Sequence, residues 1–249
     1  MPARNGTALV TGASRGLGAA IAKGLGAAGW AVAVNYAHDD AGAAAVVDAI
    51  EVAGGRAAAF KFDVTDKASV RHGVAEIEHR LGDLGLIVNN ATGPQPFKPI
   101  EEQSWDDHLD QLRFFVKAPL LVLQCVLPAW KARGSGIVVN IGSEVVDMGN
   151  AAFGHYVAAK AAMVGLTRSW ANELGGDGIR VNLVAPGFIP VERHSDATAD
   201  DLEAYRRLVP LGHQGVPEDI AAMVVFLASP GGGFITGQTF AVNGGRTLA

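Results

Sequence analysis

The sequence of 249 residues contains a single cysteine, Cys125, so no disulfide can form within the chain. A lone thiol is typical of proteins in a reducing compartment, and its apolar neighbours predict a packed, inert side chain. Basic residues are also few, 20 against 25 acidic residues, and they form no run. The resulting net charge of −5 argues against nucleic acid as a partner.

Long apolar runs and a leader peptide are missing as well. Gly, Lys or Pro interrupts the longest apolar stretches before they reach the roughly 20 residues that a membrane span needs. The first residues, Met-Pro-Ala-Arg-Asn-Gly-Thr, lack the apolar segment of a signal peptide. Only 11 prolines occur and glycine follows no G-X-Y period, which excludes collagen and proline-rich linkers. We therefore expect a cytoplasmic protein that does not enter a membrane.

The composition, with 49% apolar and 18% charged residues, is typical of a globular protein. Short β-branched runs predict strands over 7–11, 30–35, 57–62, 84–88, 136–141, 179–185 and 239–242. Helices are predicted over 19–28, 40–53, 66–81, 104–132, 151–174, 199–208 and 217–228, the fourth of them bent or split by Pro119 and Pro128. This alternation predicts an α/β, Rossmann-type, doubly wound and mostly parallel seven-stranded sheet with helices on both faces. No linker divides it, so a single domain over 1–249 is expected.

A glycine-rich loop follows the first predicted strand. It reads Thr-Gly-Ala-Ser-Arg-Gly-Leu-Gly over 11–18 and precedes a helix, as a dinucleotide site requires. Gly12 permits a tight turn, Gly16 lets the backbone approach a pyrophosphate, and Gly18 lets the helix pack closely on the sheet. Amides at the start of the helix then face the phosphates. An ordinary turn is the alternative, and the motifs described below make it the weaker one.

The end of the second predicted strand distinguishes the two nicotinamide dinucleotides. An acidic residue there would bind a ribose 2′-hydroxyl and favour NAD(H), but this strand ends in the neutral residues Asn35 and Tyr36. Arg15 in the glycine loop can pair with a 2′-phosphate, unless it is only a solvated loop residue. Asp39 and Asp40 would repel a phosphate if they turned inward, but they fit better as the start of a helix. We therefore predict that NADP(H) is favoured over NAD(H).

A tyrosine and a lysine form the second motif, Tyr156-Val-Ala-Ala-Lys160. On a helix this spacing puts both side chains on one face, where the ammonium favours phenolate and lets the phenol exchange a proton near neutral pH. Alone, such a pair is more often a surface packing contact. Ser143 follows the fifth predicted strand, at the edge of the sheet where ligands bind, and can hydrogen-bond a carbonyl oxygen.

Together these residues resemble the short-chain dehydrogenase/reductase family over essentially the whole chain, and within it the 3-oxoacyl-thioester (3-oxoacyl-ACP) reductases. The family motifs are the loop over 11–18, Asp63-Val64, Asn89-Asn90-Ala91, Ser143, Tyr156 with Lys160, Pro186-Gly187 and the closing Val-Asn-Gly-Gly over 242–245. The subgroup is indicated by Asn-Ile-Gly-Ser over 140–143, Met-Gly-Asn over 148–150 and Ala-Pro-Gly-Phe-Ile over 185–189.

The resemblance implies an oxidoreductase that moves a hydride between a nicotinamide and the carbon of a carbonyl or secondary alcohol. Tyr156 would donate the proton, Ser143 would hold the substrate oxygen, and Lys160 would hold the nicotinamide ribose and tune Tyr156. The implied cofactor contacts are Gly12, Ser14, Arg15, Gly16, Leu17, Gly18, Asn35, Asp63, Val64, Asn89, Ala91, Ile141, Pro186, Gly187 and Ile189. Candidate substrate contacts are Glu144, Phe153 and Phe188, with Phe97, His155 and Glu192 as further lining residues. Alternatively, the two glutamates are solvated and His155 only packs beside Tyr156; no metal site is predicted.

Three positions depart from the family pattern. Thr92 stands where the family has a glycine, and Val191 stands where it has a threonine. The family asparagine that holds a water in the proton relay is replaced by Phe115, or by Leu112 if the alignment shifts by three residues. The relay is then altered, or bulk water reaches Lys160 by another route. The alternative function is therefore an NADP-binding family member with weak or no catalysis, acting as a binding or regulatory protein.

Residues 188–215 follow the sixth predicted strand and are expected to cover a small-molecule carbonyl or alcohol substrate. At Gly134 and Asp177, the positions that match the basic carrier-docking residues of family reductases, this chain has no basic residue. That weakens the case for a carrier-protein substrate and leaves free ketones, ketoacid derivatives and CoA thioesters open. The helices over 104–132 and 151–174 are apolar nearly all round. Since family members pair these helices, a homotetramer is expected, or a dimer.

Overall fold

A computed structural model describes residues 5–192 and 197–248. Their strands form one parallel sheet in the order β3-β2-β1-β4-β5-β6-β7. The strands are β1 (Thr7–Val10), β2 (Ala31–Tyr36), β3 (Arg56–Lys61), β4 (Leu84–Asn89), β5 (Gly136–Ile141), β6 (Ile179–Pro186) and β7 (Thr239–Val242). The predicted doubly wound α/β fold is confirmed. The strand order reverses between β1 and β4, which in such sheets opens a ligand crevice at the carboxyl ends.

Helices cover both faces of the sheet. They are α1 (Gly16–Ala27), α2 (Asp40–Val52), α3 (Lys67–Leu81), α4 (Trp105–Leu112), α5 (Ala118–Arg133), α6 (Val145–Met148), α7 (Gly154–Leu174), α8 (Ala199–Arg207) and α9 (Pro217–Ala228). The core on one face draws on α1, α2 and α9, and the core on the other draws on α3, α5 and α7. Asp39 caps α2 by accepting from Gly42 N, so the prediction that Asp39 and Asp40 begin a helix is confirmed.

The predicted helix over 104–132 is divided, as expected, close to Pro119 but not at Pro128. A π-helical turn, Arg113–Lys117, separates α4 from α5, whereas Pro128 lies inside α5 without ending it. Pro119 explains the position, because its ring has no N–H and excludes the carbonyl of Phe115, four residues earlier. The prediction for α7 also needs correction: the helix begins at Gly154, since Ala152 has a φ of 55°, outside the helical region.

The stretch Trp105–Arg133 is also longer and more apolar than the sequence analysis allowed. Taken as one helix of 29 residues, it is long and apolar enough to cross a membrane. Part of this character belongs to the core, where Val122, Val126 and Trp130 are buried against the sheet and α3. Trp130 Nε1 donates to the carbonyl of Leu84 over 2.8 Å. This hydrogen bond ties α5 to the start of β4.

Candidate active site

The glycine loop turns sharply between β1 and α1. Gly12 and Gly16 have φ values of +63° and +57°, which glycine adopts without strain. A Cβ atom at Gly12 would lie 2.8 Å from Ala91 Cα, and one at Gly18 would lie 2.3 Å from the carbonyl oxygen of Gly12. The loop therefore requires glycine for its backbone conformation and for its close contacts.

Asn35 supports this loop from the neighbouring strand. The buried amide accepts from Gly12 N over 3.2 Å and donates to the carbonyls of Phe60 (3.4 Å) and Phe62 (3.0 Å). The sequence analysis assigned Asn35 as a cofactor contact. Because its side-chain groups are engaged within the protein, the structure gives it the role of shaping the loop.

Thr11 and Asn90 join the glycine loop to the end of β4, and the sequence analysis gave neither side chain a role. Thr11 Oγ1 donates to the carbonyl of Val88 and accepts from the amides of Asn90 (2.9 Å) and Ala91 (3.0 Å). In the opposite direction, Asn90 Nδ2 donates to the carbonyls of Thr11 and Gly12. Both residues lie inside family motifs, Thr11 in the loop over 11–18 and Asn90 in Asn89-Asn90-Ala91. That position was the signal in the sequence that could have identified them.

The start of α1 offers its amides to a ligand. Arg15, in the cap position, has an extended backbone and makes no side-chain hydrogen bond to the first turn, which also contains no acidic residue. Arg15 itself is exposed, and Ser14 and Leu17 are half-buried. A cleft of about 220 Å³ lies beside this turn, lined by Gly16, Ala19, Ala20, Lys23, Pro190, Val191, Glu192, Pro217 and Glu218. Uncapped amides and glycine turns fit a pyrophosphate group.

Three of the predicted cofactor contacts lie together around a narrow groove. Val64, Asn89 and Ala91 line it together with Thr11, Phe114, Ala118, Pro119 and Val122. Asp63, just before Val64, is exposed, and its Oδ1 accepts from the amide and hydroxyl of Thr65. Asp63 and Val64 follow β3, whereas Asn89 ends β4 and Ala91 follows it, so these predicted cofactor contacts lie at the carboxyl ends of two strands that β2 and β1 separate.

A buried chain of amides and a hydroxyl crosses the sheet below the site. Asn89 Nδ2 donates to Asn140 Oδ1, and Asn140 Nδ2 donates to Thr167 Oγ1, each over 2.8 Å. Thr167 in turn donates to the carbonyl of Met163 on α7. This chain fixes β4, β5 and α7 relative to one another. The Asn140 and Thr167 side chains had no predicted role.

Tyr156 and Lys160 lie on α7, with 6% and 4% of their surfaces exposed. Lys160 Nζ donates to the carbonyl oxygen of Ile141 over 2.7 Å and lies 3.8 Å from the ring centroid of Phe115. The Tyr156 ring stacks on Phe153, with centroids 4.5 Å apart, and meets Phe115 edge-on at 5.4 Å. Packing therefore fixes the phenol ring, and a hydrogen bond to β5 fixes the ammonium.

Ser143 stands on the loop that leaves β5, two residues after Ile141. Its half-buried hydroxyl accepts from the amide of Val145 over 3.4 Å. Gly142 makes the exit possible, since a Cβ atom there would lie 2.4 Å from Leu183 Cδ2. Because Lys160 is bonded to Ile141, the structure brings the three predicted catalytic residues to the carboxyl end of β5.

The structure describes all three positions that depart from the family pattern. Thr92 is exposed, and its hydroxyl donates to the carbonyl of Gly93 over 3.2 Å. Of the two candidates for the relay position, Phe115 lies against the ammonium of Lys160, whereas Leu112 packs, partly buried, in the same apolar cluster. Val191 is half-buried in the cleft beside α1. A phenyl ring thus lies where a polar side chain was expected.

Aromatic residues form the side of the site next to Tyr156. Phe153 is buried between Tyr156 and Phe97, whose ring stacks on it with centroids 4.4 Å apart and is 70% exposed. His155 is buried, and burial lowers the pKa of its imidazole. The His155 ring meets the Phe153 ring edge-on, with centroids 5.7 Å apart, in keeping with a packing role. The exposed Phe97 offers an apolar surface to a ligand.

The other predicted substrate contacts face the segment after β6. Glu144 is buried rather than solvated, with 4% of its surface exposed, and its carboxylate lies against Tyr205 of α8. The half-buried Phe188 meets the Tyr205 ring edge-on. Glu192 is exposed beside Gly16. Residues 193–196 of the predicted substrate-covering segment lie outside the described residues.

Comparison with known proteins accounts for this arrangement. The profile of the family described as enoyl-(acyl carrier protein) reductase matches residues 12–247. The 3-oxoacyl-[acyl-carrier-protein] reductase FabG of Staphylococcus aureus (strain Mu50) is 42% identical over 245 residues, which cover 97% of this chain and 98% of that protein. The chain belongs to the short-chain dehydrogenase/reductase family. The FabG protein of Pseudomonas aeruginosa is 39% identical and covers 97% of each chain.

Solved structures of short-chain dehydrogenases/reductases share the whole fold. A 7α-hydroxysteroid dehydrogenase complexed with NADH and 7-oxo glycochenodeoxycholic acid superimposes with a TM-score of 0.93 at 31% identity, covering 99% of this chain and 97% of that one. A gluconate 5-dehydrogenase from Burkholderia cenocepacia J2315, in complex with NADP and tartrate, gives 0.90 at 32% identity and covers 98% and 96%. The predicted family and its oxidoreductase chemistry are confirmed.

Proposed function

We propose that this chain is an NADP(H)-dependent reductase that transfers a hydride to the carbonyl carbon of a 3-oxoacyl-type or small ketone substrate, and that catalyses the reverse oxidation of the alcohol. One observation carries the proposal. Tyr156 and Lys160 are buried on one helix, and Lys160 is bonded to Ile141 at the strand end that leads to Ser143. A phenol, an ammonium and a hydroxyl held together at a ligand crevice suit proton transfer to an oxygen atom.

Each residue then has a distinct task. The nicotinamide supplies or accepts the hydride when it is bound. Tyr156 donates the proton to the substrate oxygen, and Ser143 donates a hydrogen bond that holds this oxygen in place. Lys160, a fixed positive charge, favours the phenolate that remains after proton donation. Gly12, Gly16 and Gly18 let the loop and the start of α1 approach the phosphates, in support of the predicted cofactor site.

A turnover assay tests the proposal. NADPH oxidation is followed by absorbance with β-ketoesters, acyl-CoA mimics, diketones and quinones, which represent the open substrate classes. We expect turnover with at least one 3-oxo compound. NADPH that binds without turnover of any compound would instead favour the alternative, a binding or regulatory member of the family. The observation behind that alternative is Phe115, whose ring lies where a water-binding side chain was expected.

The preference for NADP(H) predicts a selective effect of Arg15→Ala. Arg15 is exposed beside the glycine loop, where its guanidinium can pair with a 2′-phosphate. Since a hydrogen bond to a charged group contributes about 1.5–3 kcal/mol, the variant should bind NADPH about 10- to 100-fold more weakly. NADH binding should stay unchanged. Fluorescence titration measures both, and Arg71→Ala, which removes an exposed charge from α3, is the control. Equal weakening of both cofactors would contradict the assignment.

We further propose a homotetramer in the cytoplasm. Support for the assembly comes from exposed apolar side chains in several places, among them Leu120 on α5, Phe226 on α9 and Phe234 before β7. β7 is also an edge strand of the sheet, and proteins commonly cover the unpaired backbone groups of such a strand with another part of the structure. Sedimentation equilibrium should give about four times the chain mass of 25.7 kDa. A monomer at micromolar concentration would contradict it.

A further inference from the structure

Glu144, the residue after Ser143, is a carboxylate in an unexpectedly buried place. Only 4% of its surface is exposed, and its backbone amide donates to the carbonyl of Pro186 over 3.0 Å. This bond holds the loop after β5 against the end of β6. A buried carboxylate is costly unless polar groups satisfy it, so its partners show what the residue does.

Tyr205 of α8 supplies the principal partner. Its hydroxyl donates to Glu144 Oε1 over 2.8 Å and accepts from the backbone amide of Phe188 over 2.9 Å. A phenol has one proton; because the amide can only donate, that proton must go to the carboxylate. One hydroxyl thus connects α8, the loop of the catalytic serine and the segment after β6.

The surrounding residues leave room for this hydroxyl. A Cβ atom at Gly187 would lie 2.5 Å from Tyr205 Oη and 2.9 Å from Asn243 Cβ, so a larger residue there would displace the phenol. The ring of Phe188 meets the Tyr205 ring edge-on, with centroids 5.5 Å apart. Gly187, which has no side chain, therefore leaves room for the Tyr205 hydroxyl, and the Phe188 ring packs against the Tyr205 ring.

The other side-chain bonds of α8 lead away from the residues around Ser143. None of its residues is buried, Glu203 pairs with Arg206 and Arg207, and the bonds between Arg206 and the Gly212 carbonyl and between Gln214 and the Leu202 carbonyl join α8 to the segment that follows it. Tyr205 is half-buried and reaches inward. Within the described part of α8, Tyr205 is therefore the side chain that connects the helix to the residues around Ser143.

Two further residues that face Glu144, the charged Arg246 and the neutral Asn243, both follow β7. Arg246, near the C-terminus, and the amide of Asn243 both favour the carboxylate, yet burial outweighs them and raises the pKa of Glu144. Burial and the bond to Glu144 raise the pKa of Tyr205 as well. The Tyr205 hydroxyl accordingly keeps its proton, and stays a donor, at the pH of any ordinary assay.

We propose that Glu144 and Tyr205 are positioning residues, which together hold the substrate-covering helix α8 against the loop of Ser143. This inference rests on the proposed function, since it assigns these residues to the binding of the carbonyl substrate. Neither residue touches the reacting atoms. Their effect is to order α8 and the Phe188 amide before the substrate arrives, so that binding does not have to order them.

Steady-state kinetics with four single variants test the pair. Tyr205→Phe keeps the ring but loses the hydroxyl, and it should raise the KM of the carbonyl substrate about 10-fold with kcat changed less than threefold. Glu144→Ala should do the same, whereas Glu144→Gln, which keeps an acceptor oxygen, should stay within threefold of wild type. Glu203→Ala, the control carboxylate on the outer side of α8, should have no effect. The double variant Tyr205→Phe with Glu144→Ala should be no worse than either alone, because the two act as one unit.

Amide hydrogen exchange provides a readout that needs no substrate. In Tyr205→Phe, residues 199–207 and the Phe188 amide should exchange at least 10-fold faster than in wild type, while β5 keeps its protection. Unchanged exchange and unchanged KM in this variant would overturn the inference, and so would an equal effect of Glu203→Ala. If wild type turns over no compound but exchange responds as expected, the positioning role stands and the proposed reductase function fails.

Discussion

Replacing Tyr156 with phenylalanine is expected to lower kcat about 1,000-fold and to leave NADPH affinity within about twofold of wild type. The substitution removes one oxygen atom and keeps the ring, which is stacked on Phe153 and edge-on to Phe115. Loss of a general acid typically costs a factor of about 10² to 10⁴. The effect should therefore fall on the chemical step.

The measurement combines NADPH absorbance for kcat with fluorescence titration for NADPH binding. Thermal unfolding of the same variant should match wild type, because the packing around the ring is preserved. A fall in kcat smaller than tenfold would show that another group donates the proton. A fall in NADPH affinity that accounts for the whole loss would assign Tyr156 to cofactor binding alone.

Gly18→Ala is expected to have the second largest effect, on the fold as well as on the cofactor site. A Cβ atom at Gly18 would lie 2.3 Å from the carbonyl oxygen of Gly12, 2.6 Å from Asn90 Nδ2 and 2.9 Å from Ala13 Cα. Two of these atoms are backbone, so the loop itself must move. Overpacking of this kind costs about 1–3 kcal/mol, and we expect a melting temperature lower by roughly 3–10 °C. NADPH binding should weaken at least 10-fold.

Gly176→Ala is the matched control. Gly176 lies in an exposed turn after α7, its φ is not positive, and a Cβ atom there would meet nothing within 4 Å. The same added methyl group should leave the melting temperature within about 1 °C and NADPH binding unchanged. Calorimetry and fluorescence titration compare the two variants. If Gly18→Ala behaved like this control, the close approach at the glycine loop would not matter for the cofactor.

The elements with a clear period in the sequence were predicted closely. β5 and β7 have the predicted bounds, as does α9, where Pro217 opens the helix. Gly or Pro stands at or within two residues of both ends of these segments, and their interiors are largely apolar, so local sequence decides them. The place of the glycine loop between β1 and α1, and of Tyr156 and Lys160 on one helix, could be predicted for the same reason, because each motif is a short, continuous stretch of sequence.

The features that were missed depend on contacts between distant residues. The side-chain amide of Asn35 donates to the carbonyls of Phe60 and Phe62, 25 and 27 residues away in the sequence. The pattern of one strand does not reveal hydrogen bonds to another. Glu144 and Tyr205 are 61 residues apart, so nothing near Glu144 indicates a buried carboxylate. Both Pro119 and Pro128 were expected to bend or split the predicted helix, but only Pro119 coincides with a break, since Pro128 lies inside α5.

The parallel order of the strands has a consequence for how the molecule forms. No strand in it can pair with its sequence neighbour through a tight hairpin, and the central pair, β1 with β4, joins segments that are far apart in the chain. The bonds that Thr11 makes at the glycine loop reach residues up to 80 positions away. Closing large loops costs chain entropy before the contacts form, so chains dominated by such distant pairings fold slowly. The crevice between β1 and β4 can therefore form only when segments up to 80 positions apart have come together.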